Sequence, residues 1–176
     1  MLRRILKAIL FKREVYIEVC ERPETVVQAF ALVLLTGIAM ASGVMGVFEG
    51  DPQERMAMGN FVNRLIGIWI GVVTTLLGWV LWGGITFLMG SKFLGGGASY
   101  NEVLRVLGMG YAPGILFILV SLPVVGSAVW ILSSLWILVA AVVGQRAIQE
   151  FDWLSSILSS FLGWFLFVFL LIPILS

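Results

Sequence analysis

The chain has 176 residues, of which 60% are hydrophobic and 12% charged, and its mean hydropathy is +1.06. A soluble domain carries about 25% charged residues, so this chain has too few polar side chains to cover a water-facing surface. A net charge of +1 excludes the basic field of a nucleic-acid binder, and zero histidines with a single cysteine, Cys20, exclude a disulfide and the usual metal and proton-transfer chemistry.

The first 24 residues are basic, with Arg3, Arg4, Lys7, Lys12, Arg13 and Arg22. Leu2, Ile5, Leu6 and Ile9 fall at helical spacing with the cations elsewhere. Two readings fit: an amphipathic helix on the cytoplasmic leaflet, or a basic flank that fixes topology. The apolar run Ala8 to Phe11 is too short for the core of a signal peptide.

Four uncharged stretches follow: Thr25 to Phe48, Leu65 to Ser91, Val106 to Gln145, and Trp153 to Ser176. A helix needs about 20 apolar residues to cross the bilayer. Three stretches suit one span each; the third, 40 residues long, suits two, with its turn at Ser121-Leu122-Pro123 before Gly126. The runs are apolar all round rather than alternating, which excludes a barrel. The expected fold is all-α, an integral membrane bundle of five transmembrane helices at about 25–47, 65–90, 103–122, 124–144 and 154–175. Nine cations fall on the N-terminal side of the membrane and two, Arg55 and Arg64, on the other. This bias predicts a cytoplasmic N-terminus and a C-terminus outside.

No ionisable residue lies within a span, so the hardware of an ion-coupled transporter is missing. Serines without a histidine, buried lysine or buried carboxylate to activate them make an intramembrane enzyme unlike this chain. Thr36, Thr74, Thr75, Thr86, Ser133 and Ser134 suit hydrogen bonds to their own or neighbouring helices, or else the lining of a neutral-solute pathway. Gly67, Gly71 and Gly78 share one helix face, as do Gly37 with Ala41, Ala140 with Gly144, and Ser155 and Ser159 with Gly163. Such faces let helix backbones approach closely, within the chain or against a partner. Among seven tryptophans, Trp153 suits an interfacial anchor and Trp136 a packing role.

The second connection contains Gly95 to Gly97 but no Gly-Lys-Ser/Thr ending, so it is read as a turn rather than a phosphate cradle. Ser99 with Glu102 forms a capping box that opens the third span. Gly110, Tyr111, Pro113 and Gly114 then interrupt the helix, and the third span is expected to kink at Pro113, as a packed structural feature or a pocket. Arg3, Arg4, Lys7, Lys92 and Arg105 are the candidates for lipid headgroup contact.

Leu81-Trp82, Gly90 with the glycine-rich turn, Leu104 to Gly108 and Gly110-Tyr111-Ala112-Pro113 resemble prokaryotic members of the Yip domain family. Arg22-Pro23-Glu24 leading to Gln28-Ala29, and Ser134-Leu135-Trp136, extend the likeness from about Pro23 onward. The resemblance implies a five-span protein with a cytosolic N-terminus, here in a prokaryotic inner membrane. Eukaryotic relatives act in vesicle traffic and bind prenylated Rab-type GTPases. Their long cytosolic N-terminal region and Asp-Leu-x-Gly-Pro motif have no counterpart before the first span, so Rab-type GTPase binding is doubtful for this chain.

The leading expectation is a non-enzymatic protein, without a cofactor, that organises membrane lipids, other integral membrane proteins or its own copies. One version is an accessory subunit of a larger membrane complex. The alternative is a small transporter or channel for a neutral or amphipathic solute, using the kinked span.

Overall fold

The computed structural model describes residues 2–48 and 61–175, and all its regular structure there is helical. Two short helices come first, α1 (Leu2–Ile9) and α2 (Arg13–Glu21). They lead into α3 (Thr25–Phe48), where Thr25 closes the turn by donating its hydroxyl to the Arg22 and Val19 carbonyls at 2.6 and 2.9 Å. The first connection and its Arg55 lie outside the described residues. Helix α4 (Phe61–Leu88) begins before Arg64 and runs on through a π-helical turn, Met89–Phe93.

The capping box opens α5 (Tyr100–Gly110): the Ser99 N–H and hydroxyl both donate to Glu102 Oε2, at 2.6 and 2.8 Å. A 3-10 helix, Ala112–Ser121, continues the chain at an angle of 42° to α5. The 3-10 form rises about 2.0 Å per residue against about 1.5 Å in an α-helix. The bent pair therefore reaches about as far as a longer straight helix, despite its break.

The turn at Leu122 to Val125 falls at the expected proline, and α6 (Gly126–Gln149) returns from it. Gly126 is needed there, since a Cβ would drive into the Val120 carbonyl oxygen. Glu150 ends α6 in the left-handed conformation, with φ 57°. Asp152 then opens α7 (Trp153–Leu175) by accepting the Ser155 N–H at 3.1 Å.

Among the described residues, three helices are long and apolar enough to cross a membrane: Thr25–Met45, Asn63–Phe93 and Gly126–Gln149. The bent pair makes a fourth if it counts as one span, and Trp153–Phe165 is a shorter apolar stretch.

Helix α3 sits centrally, against α4, α5 and the 3-10 helix, while α7 packs on α4 and α6. The core joins Ala29, Val33, Trp82, Leu107, Tyr111 and Phe117, among others. Hydroxyls turn inward (Thr36, Thr75, Thr86 and Ser133 are buried), whereas Ile66, Trp69, Ile70, Val73 and Leu77 of α4 face out. Such an apolar exterior departs from a protein folded in water, and it fits apolar lipid as the surrounding medium.

The N-terminal helices are part of the packed structure. Val15, Tyr16 and Val19 of α2 are buried against Leu32, Val106 and Ala147. The apolar stripe read in α1 divides: Ile5 and Ile9 pack on this second cluster, and Leu6 is exposed.

Candidate functional site

The interrupted span is where local structure departs most from a plain helix. The bend falls at Tyr111 rather than at Pro113, where it was expected. Proline's ring conflicts with the carbonyl four residues earlier, so the α-helix stops before it. Pro113 itself stands in the first turn of the 3-10 helix, where a missing N–H costs nothing.

The break is closed by hydrogen bonds inside the protein. The Tyr111 carbonyl accepts the Gly114 N–H at 2.8 Å and the Thr36 hydroxyl at 3.0 Å. Both bonds satisfy an acceptor that lipid would leave unpaired. The surrounding glycines are close-approach positions. A Cβ on Gly108 would lie 2.6 Å from Ala29 Cβ, and one on Gly114 would lie 2.8 Å from Thr36 Oγ1. Gly110 backs onto Ala140 and Ala141, and the Tyr111 ring stands edge-on to Trp82 with centroids 5.9 Å apart. Gly110, Tyr111, Pro113 and Gly114 are all buried. Their packing is what a structural kink requires.

Indole N–H groups bind the helices together around it. Trp79 donates to the Leu104 carbonyl at 3.0 Å and Trp82 to the Ser160 carbonyl at 2.9 Å. Trp136 reaches the Ile9 carbonyl at 3.0 Å, which ties the end of α1 to the middle of α6. The packing role expected of Trp136 therefore includes a polar anchor that its sequence position did not reveal.

The small-residue faces meet partners within the chain. A Cβ on Gly71 would lie 2.6 Å from Ala41 Cβ, and one on Gly67 would collide with the Met45 methyl group, so this face seats α3 on α4. Gly78 is buried on the same helix. Gly163 lies on Trp82 and Thr86 of α4, with Ser159 buried one turn earlier and Ser155 partly exposed.

The five candidate headgroup residues divide. Arg3, Lys7 and Lys92 are exposed. Arg4 is instead engaged within the fold: its guanidinium binds Glu18 Oε1 at 2.7 and 3.0 Å and Gln28 Oε1 at 3.3 Å. Arg105 is buried and donates to the Cys20 carbonyl at 2.7 Å. These two arginines tether the N-terminal helices: Arg4 joins α1 to α2 and α3, and Arg105 joins α5 to the end of α2.

Sequence reading missed two features at the Gly90 end of the bundle. Gln145 and Gln149 are buried and joined by a 2.7 Å bond, with Gln149 seated against Gly90 and Gly96. Their spacing of four was the available signal. Beside them, Arg13, Arg146, Glu150 and Phe151 line an open cleft of about 310 Å³. No sequence spacing links Arg13 to Arg146, since α2 and α6 meet only in the fold.

A family model described as Yip1 domain matches residues 7–174. No curated protein matches the chain, and no solved structure does.

Proposed function

The chain belongs to the Yip1 domain family, and from that premise we propose that it is a non-enzymatic membrane scaffold that organises protein or lipid partners. The family match over residues 7–174 is the observation that carries this reading. It is an integral membrane protein by its family and its apolar helices. A five-span arrangement is supported by α7, whose 23 helical residues extend about 34 Å at 1.5 Å per residue. With the bent pair counted as one span, the cation bias supports a cytoplasmic N-terminus and a C-terminus outside, and the resemblance to prokaryotic members supports a prokaryotic inner membrane.

The internal use of the small-residue faces bears on how partners are met. Gly67, Gly71 and Gly163 are occupied by neighbouring helices, so partner contact falls to the outer surface, including the exposed Ile66, Trp69, Ile70 and Val73 face of α4. The test is cross-linking in native membranes, purification in mild detergent and mass spectrometry. Stoichiometric partners or a homo-oligomer, cross-linked through α4, are expected. A lone monomer without cross-links to α4 refutes the scaffold reading.

A further inference from the structure

We infer that the cleft between α2 and the α6–α7 turn is a binding site for a phosphate-ester anion, held by Arg13 and Arg146. The cleft encloses about 310 Å³ and is lined by these two arginines with Glu150 and Phe151. That space admits a phosphate group with part of its substituent. Two guanidiniums against one carboxylate leave the lining net positive.

Among the described residues neither arginine is in an ion pair, Glu150 included. Arg146 is nevertheless held in place: its guanidinium carbon lies 4.1 Å from the centre of the Trp153 ring. Stacking uses the flat face of a guanidinium and leaves its in-plane N–H edge for a bidentate acceptor. Arg146 Nε is also buried without a hydrogen-bond partner among the described residues. A buried donor of this kind costs free energy until an acceptor meets it. Arg13 is exposed at the first position of α2 and completes the cleft from the opposite element.

Phosphate is favoured over carboxylate because it offers more acceptor oxygens to two separate forks. Two sources share this chemistry: the headgroup of an anionic phospholipid, or a soluble phosphate ester. Trp153 at the start of an apolar helix places the cleft where an interfacial anchor would sit, so a lipid is the stronger reading of the two. The site does not depend on the scaffold role, and it stands or falls by ligand binding alone.

The experiment titrates the full chain in uncharged detergent with short-chain phosphatidylglycerol, short-chain phosphatidylcholine and glycerol 3-phosphate, read by native mass spectrometry. Wild type is expected to bind phosphatidylglycerol in preference to phosphatidylcholine. Arg13→Gln should weaken that binding about fivefold, which is the effect of one cation near a charged headgroup. Arg146→Gln should weaken it at least as much, Arg146→Lys less, and Glu150→Gln should strengthen it. Arg64→Gln, on α4 and outside the lining, should change nothing. Binding of phosphatidylglycerol that glycerol 3-phosphate does not displace assigns the site to lipid; displacement assigns it to a soluble ester. Equal binding of the two lipids with no binding of glycerol 3-phosphate overturns the inference. So does unchanged affinity in Arg13→Gln, a surface substitution that leaves folding intact and so decides the matter even if Arg146→Gln fails to fold.

Discussion

Gly163→Ala tests whether the last helix is seated on α4 as described. A methyl group there would collide with Trp82 Cδ1 and lie 2.7 Å from Thr86 Oγ1 and 2.9 Å from Trp82 Nε1. Trp82 is 1% exposed, and its indole N–H is held by the Ser160 carbonyl, so the ring has no room to swing aside. Overpacking of this kind costs about 1–3 kcal/mol, and the immobile neighbour puts this site near 3. Replacing glycine within a helix returns about 1 kcal/mol of propensity, which leaves a net loss near 2. The unfolding equilibrium constant should therefore rise about thirtyfold. Gly84→Ala is the reference, because its nearest neighbour, Tyr100 Cε2, is 4.0 Å from the added carbon. That variant should match wild type or exceed it by up to about 1 kcal/mol. Both are measured by reversible unfolding in mixed micelles as the denaturing detergent fraction increases, followed by tryptophan fluorescence. Equal stability of the two variants, within about 0.5 kcal/mol, would falsify the docking of α7 on α4.

Three further outcomes concern the N-terminal helices, and a fourth the membrane topology. Trp136→Phe keeps an aromatic ring but loses the donor to Ile9, at about 0.6 kcal/mol or more for a bond between membrane helices; amide exchange in α1 should accelerate about threefold, and unchanged exchange would remove the anchor. The Glu18 carboxyl is held below its ordinary range, chiefly by the hydrogen bond from Arg4. A lowered folded-state value means stability that is present above the unfolded pKa and is lost as pH falls through the folded one. Acidification below the usual glutamate range should thus loosen α1, by at most about 0.5 kcal/mol for a carboxylate 35% exposed, and Glu18→Gln should abolish that acid step in exchange corrected for intrinsic rates. Burial raises the Cys20 thiol above its ordinary value, so alkylation should be slow at neutral pH and quicken in alkali. In sealed vesicles an impermeant maleimide should reach Cys20 only from the cytoplasmic face, and a Ser176→Cys, Cys20→Ser variant only from the other; labelling of both from one side would contradict five spans.

The helix positions were legible because charge is scarce. Uncharged stretches of membrane length marked α3, α4, α6 and α7, and Pro123 marked the turn before Gly126. The ends were less legible. Helix α4 starts before Arg64 and α6 continues past Arg146, since a long cationic side chain reaches the interface without ending the helix that carries it. The kink was visible as Gly110 to Gly114, but its exact position depended on Thr36 and Gly114 both meeting the Tyr111 carbonyl, and Thr36 is 75 residues away. Pairings of that range leave no local trace. The same holds for Arg4 with Gln28 and Arg105 with the Cys20 carbonyl, and for the meeting of Arg13 and Arg146 at one cleft. Each arginine reads alone as a basic flank and acquires its role only when α1 and α2 fold against the bundle.

The distribution of polar contacts indicates how the bundle coheres where lipid supplies no hydrophobic drive between helices. Two other terms are available, close backbone approach and interhelical hydrogen bonds. The structure combines them along shared seams. Gly163 brings α7 onto α4 at the level where Trp82 reaches Ser160, and Gly108 seats α5 on α3 one turn from the Tyr111 carbonyl that Thr36 caps. Each indole or hydroxyl bond adds about 0.6 kcal/mol on average, so a single loss is tolerable, but the glycines set the approach on which the bonds depend. Widening a seam at Gly163 should therefore also weaken the Trp82 bond, and the two losses should be less than additive when Gly163→Ala is combined with Trp82→Phe. Additive losses would instead mean that close approach and hydrogen bonding act separately in this fold.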